Sequence, residues 1–395
     1  MDFNFPAEDD PRRMELRAWF ADNPAPTPQQ LADRGLSTPN WPEPWGMAAD
    51  TELMLIIDDE FARAGVSQPK KYNPIALNQC GQSLLTWGTQ AQRDRFLPPA
   101  LANKERWCML FSEPSGGSDL GSLRTVARRD GDEYVINGRK IWNSAADKCQ
   151  IGVLIARTNS AVPKHKGLST FIIEMNTPGI TVNPIVDMTG EENEYNEVLL
   201  EDVRVPVDAR IGDEGSGWRI TMEQLQTERQ SMTQPGTVWG AGPTARELVD
   251  GLIQTGRIAD PLIRDEAARL YIEGEILRLL SMRSLSNKIN GKPSGIEGNA
   301  GKMVASPHGQ KLSELAKRSQ GVAGMVKNTD VLPLPNKNYG LFNNWDYTYW
   351  FSPATTLGVG TQEVLKNTIA ERVLGLPREN DDTVGVPFKD IDISY

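Results

Sequence analysis

The chain has 395 residues, of which 39% are apolar, and carries a formal net charge of −10. At roughly 100–200 residues per domain, this length is enough for two or three domains. The negative charge argues against nucleic acid or an anionic membrane as the main partner. No segment approaches the roughly 18 consecutive apolar residues of a membrane helix. The acidic start, MDFNFPAEDD, also lacks the basic and apolar regions of a signal peptide. We therefore expect a soluble, cytoplasmic, globular protein.

Cysteine and histidine are scarce. The three cysteines, Cys80, Cys108 and Cys149, are odd in number and widely spaced, and the two histidines are His165 and His308. This usage predicts neither a disulfide framework nor a metal site.

The first part of the chain, residues 1–105, has helical periodicity. Residues 12–20, 51–64 and 81–97 place apolar side chains at helical spacing among charged ones. Pro98-Pro99 predicts a break after the third segment. The proline-rich residues 24–45 predict a long connection. A helical packing domain is the expected result.

Between residues 106 and 217 the pattern changes to that of strands. Short runs rich in branched residues occur at 125–128, 133–136, 152–156, 169–174, 181–184 and 203–206. Turn residues separate several of these runs, and Asn137-Gly138 carries a strong hairpin signal. We predict a small antiparallel β-domain.

From residue 218 to residue 395 the sequence is again helical, with helices predicted at 221–232, 261–289, 300–323 and 361–374. The last of these begins at Thr361, a good N-cap, and ends before Gly375. Residues 327–356 contain many aromatic rings and several prolines. A loop of that length and composition is expected to be buried against other elements.

Residues 109–119 contain a glycine turn after an apolar run. Backbone amides in such a turn can point inward and hold a phosphate group. Taken alone, however, a Pro-Ser-Gly-Gly sequence is more often an ordinary turn.

Five segments in order give this turn its meaning: FSEPSGGSD (111–119), NGRKIWNS (137–144), DVRVP (202–206), residues 212–217, and GTQEVLKNTIAERVLGLPR (360–378). Together they resemble the acyl-CoA dehydrogenase family of flavoproteins, over about residues 50–380. The resemblance implies an α+β multidomain fold. An N-terminal helical domain (1–105), a middle antiparallel β-domain (106–217) and a C-terminal four-helix-bundle domain (218–395) are expected.

The resemblance also implies binding of FAD and of an acyl-CoA thioester. The residues implied for FAD are Phe111, Ser112, Gly117, Ser118, Trp142, Ser144, Thr361 and Glu363. Those implied for the substrate are Ser118, Leu225, Arg229 and Gly360. Ser144 stands where the family usually has a threonine, so the hydroxyl is kept and a methyl group is lost.

The family reaction removes the α-proton of the acyl group, which requires a carboxylate base. In many members the base directly precedes the Gly-Thr that opens the last helix, but here that position is Val359. A minority place a glutamate before an arginine in an earlier helix, and Glu228-Arg229 matches that pattern. Glu228 is therefore the expected base, although an isolated glutamate on a helix is usually a surface residue.

Two motifs by which homotetrameric members hold a neighbour's FAD are missing. Residues 254–269 contain no Arg-x-x-Phe-Gly, and residues 321–324 read GVAG in place of a Gly-Gly-x-Gly. The chain thus resembles the α subunits of heterotetrameric (α2β2) bacterial enzymes that act on steroid side chains, which share a proline near Pro235. A diverged homotetramer is the alternative.

Three functions are consistent with the sequence. The first is a dehydrogenase that passes electrons to an electron-transfer flavoprotein and acts on a bulky, branched or steroid side-chain substrate. The second is an acyl-CoA oxidase or flavin monooxygenase of the same fold. The third is a flavin-poor structural subunit of a heteromeric dehydrogenase, which Val359 favours and Glu228, Trp142 and Ser144 oppose.

Overall fold

The computed structural model describes residues 6–190, 194–231, 242–292, 297–326, 332–334 and 342–392, with all side chains in them except those of 227–231, 288 and 297–299. The chain divides into two compact units. One contains residues 6–227 and 380–392, and the other contains residues 228–379.

The first unit begins with five helices: α1 (Pro11–Asp22), α2 (Pro28–Asp33), α3 (Thr51–Ala64), α4 (Gly81–Trp87) and α5 (Gln90–Leu101). The expected break at Pro98-Pro99 is wrong, because both prolines lie inside the last turn of α5. Their carbonyls accept hydrogen bonds from the amides of Ala102 and Lys104, which keeps the chain helical to its end. The proline-rich connection also contains α2, whose start Thr27 and Gln30 fix by a capping box.

A buried ion network ties α1 to α3. The Glu60 carboxylate accepts hydrogen bonds from Arg13 at 2.9 Å and from Arg17 at 3.0 Å. The Arg13 and Glu60 side chains are only 2% and 1% exposed. Burial raises the pKa of Glu60, but the hydrogen bonds from Arg17 and Arg13 outweigh it and hold that pKa below its usual value.

Replacing Glu60 with Ala is expected to destabilise the protein by about 3 kcal/mol, because it leaves buried Arg13 without its main partner. Since the folded-state pKa of Glu60 is depressed, its contribution is complete near neutral pH and is lost as pH falls below about 4. Thermal melts across this range should therefore show a steeper acid loss for the wild type than for Glu60→Ala. Glu15→Ala, which breaks an exposed pair with Arg34, is the matched control and should change little.

The middle of the chain forms one sheet of eight strands: β1 (Trp107–Leu110), β2 (Val126–Asp130), β3 (Glu133–Ser144), β4 (Ile151–Arg157), β5 (Leu168–Glu174), β6 (Ile180–Ile185), β7 (Tyr195–Pro206) and β8 (Arg210–Ile211). Their order is β6-β7-β3-β2-β4-β5-β8, and β1 pairs with β4. Most pairs are antiparallel, as predicted, but β1 and β4 run parallel.

The predicted hairpin at Asn137-Gly138 is wrong, because both residues lie inside the long strand β3. The hairpin turn is instead at Gly131, which has φ +64°. A Cβ atom at Gly138 would lie 2.2 Å from the hydroxyl of Thr125, so glycine is needed there for a close approach of two segments.

The sheet is buried on both faces. Along β4, Ile151, Val153 and Ile155 enter a core that also contains Leu84, Leu97 and Trp107. The alternate residues Leu154 and Ala156 enter a second core on the opposite face. This two-sided burial explains why β4 is a continuous apolar run without polar alternation.

The remaining helices are α6 (Gly217–Ser231), α7 (Ala245–Gln254), α8 (Pro261–Ile289), α9 (Glu297–Ser319), α10 (Trp345–Phe351), α11 (Ala354–Leu357) and α12 (Gln362–Arg372). The aromatic stretch predicted as a loop contains the helix α10, in which Trp345, Tyr347 and Phe351 are buried. The expectation of burial is thus confirmed for these rings, while Tyr339 lies outside the described residues. Helix α7 was not predicted.

The order of a helical part, a β-sheet and a second helical part confirms the predicted α+β architecture. The domain boundaries near residues 105 and 217, and the four-helix arrangement, stay predictions. Among the helices that the structure covers, none is both long enough and apolar enough to span a bilayer.

Candidate active site

The first predicted flavin segment leaves the sheet at the end of β1. Phe111 is buried and Ser112 is partly exposed, while Gly117 and Ser118 are exposed. Glu113 and Gly116 exchange two backbone hydrogen bonds of 3.0 Å, which close a tight turn. A Cβ atom at Gly117 would meet nothing within 4 Å, so this side of the turn is open.

The second predicted segment is the end of β3, where a bulge interrupts the pairing with β7 between Lys140 and Asn143. Trp142 lies in the bulge at φ +62°, a left-handed conformation that β-strand residues rarely adopt. Its indole is 56% exposed and contacts the edge of Tyr195, with ring centroids 5.8 Å apart. Ser144 is also exposed, whereas Asn143 between them is buried. Trp142 and Ser144 therefore face outward together.

Hydrogen bonds join these two segments directly. The Ile141 amide donates to the Ser112 carbonyl at 2.9 Å. The Asn143 side chain donates to the Met109 carbonyl at 2.7 Å. The structure thus brings Ser112 of the first segment next to Trp142 and Ser144 of the second, as the resemblance implied.

Beneath this surface lies an ion pair that the sequence reasoning missed. The Lys140 ammonium is 2.8 Å from the Glu113 carboxylate, and the two side chains are 0% and 4% exposed. Burial alone would raise the pKa of Glu113, but Lys140 and the hydrogen bonds from Thr125 and Arg124 outweigh it and hold that pKa below its usual value. Glu113 lies inside the first motif and Lys140 inside the second, but nothing in either motif indicates that they pair.

The far end of the turn is held by a buried arginine. The Arg157 guanidinium donates to the carbonyls of Gly121 at 2.8 Å and Lys164 at 2.9 Å. Its Cζ atom lies 3.4 Å from the ring centroid of Phe388, so the segment 380–392 packs here. Asp119 accepts a hydrogen bond from Lys164 at 3.3 Å. Exposed Ser118, the predicted contact for CoA, therefore stands at the edge of a fixed turn.

In the second unit, the loop before α12 has an unusual backbone. Val359 at φ +59° and Gly360 at φ +84° are both left-handed. Buried Lys302 donates to the Gly360 carbonyl at 2.7 Å and to the Thr355 carbonyl at 3.2 Å. Thr361 caps α12, as predicted, by accepting from the Val364 amide. Exposed Glu363 lies in the first turn, where hydrogen bonds from its own amide and from Thr361 lower its pKa.

The expected base and one substrate residue fall outside the described side chains. The backbone of Glu228 and Arg229 continues the helix α6, but nothing is described of their side chains. Met232 and Pro235 lie wholly outside the described residues. Leu225, which is described, packs against the core of the first unit. The roles of Glu228, Arg229 and Leu225 therefore stay predictions.

The wall formed by Ser112, Trp142 and Ser144 fits a flavin. An exposed indole offers a flat apolar face for stacking, and the two neighbouring serines offer hydroxyl groups to ring heteroatoms. Backbone strain at Trp142 and Ala145, both at positive φ, is typical of binding sites. Within the described ranges, no group of three or more His, Cys, Asp or Glu side chains could hold a metal ion.

Architecture and site together define a class: a three-part α+β enzyme with an aromatic, hydroxyl-bearing wall on its middle sheet. Family profiles agree along the chain. Residues 7–104 match the acyl-CoA dehydrogenase N-terminal domain, 108–203 the middle domain and 215–374 the C-terminal domain.

Curated relatives and solved structures extend this match. The acyl-CoA dehydrogenase IpdE1 of Mycobacterium tuberculosis is 35% identical over 366 residues, which is 92% of this chain and 89% of the relative. The structure named Tcur3481-Tcur3483 steroid ACAD has a TM-score of 0.76 at 27% identity and covers 96% of this chain and 100% of its own. The ChsE4-ChsE5 complex from M. tuberculosis has a TM-score of 0.74 at 26% identity over 96% and 100% of the two chains.

The chain belongs to the acyl-CoA dehydrogenase family. It is an oxidoreductase that acts on acyl-CoA, and its homologues include enzymes named for steroid substrates.

Proposed function

We propose that the chain catalyses the FAD-dependent α,β-dehydrogenation of an acyl-CoA thioester to the trans-2-enoyl-CoA. The single observation that carries this proposal is the wall of Ser112, Trp142 and Ser144, in which an exposed indole and hydroxyl groups lie together on the middle sheet. FAD, when bound, supplies the acceptor for the hydride that leaves the β-carbon of the substrate.

The remaining chemistry falls to the side chains of this protein. The Glu228 carboxylate takes the α-proton, and Arg229 on the same helix provides the adjacent positive charge. Trp142 supplies an apolar face to the ring system, and Ser112 and Ser144 offer hydroxyl groups at its edge. Ser118, Leu225 and Gly360 contact the substrate. Thr361 and Glu363, at the start of α12, contact the adenine half of the cofactor, where a helix N-terminus favours a phosphate group.

Replacing Trp142 with Ala tests the flavin wall. We expect FAD affinity to fall about tenfold through lost stacking. Stability should change by less than about 1 kcal/mol, because the indole is 56% exposed. Equilibrium titration of the apoprotein with FAD measures the first effect and thermal melting the second. Tyr72→Ala, at an aromatic residue 39% exposed in the N-terminal part, should leave FAD affinity unchanged. Equal FAD affinity in Trp142→Ala and the wild type would count against the wall.

The substrate class follows from the relatives. Two of the matched solved structures are named as steroid acyl-CoA dehydrogenases, at 27% identity. We propose a bulky acyl group, branched or part of a steroid side chain, and an electron-transfer flavoprotein as the electron acceptor. A panel of straight, branched and steroidal acyl-CoA thioesters separates these substrates by their rates of flavin reduction.

We also propose that the chain assembles with a homologous subunit into an α2β2 enzyme. Helix α8 presents Ile272, Ile276 and Leu279 at spacings of four and three residues, with 59%, 49% and 40% of each side chain exposed. An apolar stripe of this kind on one helical face is typical of a subunit interface. The matched ChsE4-ChsE5 structure is itself a complex of two chains, which favours a non-identical partner.

A further inference from the structure

The buried ion pair between Glu113 and Lys140 has no part in the chemistry proposed above. Its ammonium and carboxylate lie 2.8 Å apart, and the side chains are 0% and 4% exposed. A buried ion pair is often no more stable than two well-packed apolar side chains, because both charges lose their hydration. The reason for this pair must therefore be sought in what it holds.

Each partner makes further contacts that reach different segments of the sheet. Lys140 also donates to the Phe111 carbonyl at 3.0 Å, directly before Ser112. Glu113 also accepts from the backbone amides of Arg124 at 2.6 Å and Thr125 at 2.9 Å. Four of the six contacting groups are backbone or charged groups that an apolar pair could not satisfy. The pair thus pins the turn after β1 to β3 and to the segment before β2.

The position of the pair relative to the wall is equally specific. Lys140 lies two residues before Trp142, at the edge of the bulge that turns the indole outward. Glu113 directly follows Ser112, whose carbonyl accepts from the Ile141 amide at 2.9 Å. Any change in the separation of Glu113 and Lys140 therefore shifts Ser112 and Trp142 relative to each other.

We propose that Glu113 and Lys140 are positioning residues, which set the spacing between Ser112 and Trp142 and thereby the fit of the flavin ring. This inference rests on the proposed FAD site. It goes beyond that site by assigning a role to two buried residues that would touch neither cofactor nor substrate.

The test compares Lys140→Met with the wild type, using the full chain together with its partner subunit when the two co-purify. Methionine keeps an unbranched side chain and removes the charge. We expect FAD affinity to fall about tenfold or more, since small misplacements of binding groups carry large penalties. The visible circular dichroism of the flavin that still binds should also change, which a loss of stability alone would not produce.

Arg13→Met is the matched control. It breaks the ion pair with Glu60, which is 2.9 Å long and equally buried but lies between α1 and α3. We expect it to lower the melting temperature while leaving FAD affinity within about twofold and the flavin spectrum unchanged. If Lys140→Met does not fold, Glu113→Gln, which keeps the shape of the carboxylate, is measured in its place with the same expected result.

Wild-type FAD affinity and an unchanged flavin spectrum in Lys140→Met or Glu113→Gln would overturn the inference and leave the proposed function intact. A wild-type protein that takes up no FAD, alone or with its partner, would overturn both. An equal loss of FAD affinity in Arg13→Met would show that general destabilisation is the cause, and would also overturn the inference.

Discussion

Replacing Glu228 with Gln is expected to reduce the rate of flavin reduction by acyl-CoA by about 10²–10⁴-fold, while FAD remains bound. The amide keeps the size of the carboxylate and cannot accept the α-proton. No carboxylate stands at the position where many relatives place the base, because Val359 occupies it. Anaerobic stopped-flow mixing of FAD-loaded enzyme with substrate measures the rate.

The control for this prediction lies on the same helix. Glu223 is 44% exposed and accepts a hydrogen bond from the Trp87 indole at 2.8 Å. Glu223→Gln carries the same chemical change on α6 and should leave the rate within about twofold of the wild type. Retained flavin reduction in Glu228→Gln would rule out Glu228 as the base and favour another carboxylate.

Co-expression with the homologous partner subunit is expected to raise the FAD content from a small fraction to near saturation. The missing Arg-x-x-Phe-Gly and Gly-Gly-x-Gly motifs are the ones by which relatives hold a neighbour's cofactor. A second copy of this chain would lack them too, whereas a different subunit could supply them. Absorbance of the released flavin, relative to protein, measures the content. A homogeneous, active and fully flavinated preparation of the chain alone would contradict the α2β2 proposal.

The exposed stripe on α8 allows the assembly to be tested separately. Ile276→Lys places a charge in the centre of the stripe, where the wild-type side chain is 49% exposed. We expect the complex to dissociate, as judged by sedimentation, while each chain stays folded. Ile253→Lys, at a residue 57% exposed on α7, is the matched control and should leave the complex intact.

Long, strongly periodic helices were predicted well because local signals decide them. Helix α3 begins after the N-cap Asp50 and ends at Gly65 in the left-handed conformation, and its predicted bounds match the structure. Helix α8 likewise spans the predicted residues 261–289. In both cases the capping chemistry and the apolar spacing are contained in the segment itself.

The errors occur where distant contacts decide. Asn137-Gly138 has the local chemistry of a hairpin turn, but β3 continues through it because Gly138 allows close contact with Thr125 and the strand pairs with β7. The aromatic stretch was read as a loop, although Trp345–Phe351 buries three rings by forming a short helix. Tertiary burial overrides local propensity at such places.

The candidate site shows the same division. Ser112, Trp142 and Ser144 were assigned from motifs, and the structure brings them together on one wall. The pair of Glu113 and Lys140 could not be found in this way, because the two residues are 27 positions apart and their contact depends on the register of β3. Charged residues inside a motif are expected at the surface unless a partner is known.

Anaerobic titration of the FAD-loaded enzyme with acyl-CoA thioesters tests the central claim most directly. The account predicts that at least one branched or steroidal thioester bleaches the visible absorbance of the oxidised flavin and is converted to the trans-2-enoyl-CoA, with electrons then passing to an electron-transfer flavoprotein. A flavin that stays oxidised with every thioester would contradict the account. So would rapid reoxidation by oxygen with stoichiometric peroxide, since that outcome defines an oxidase.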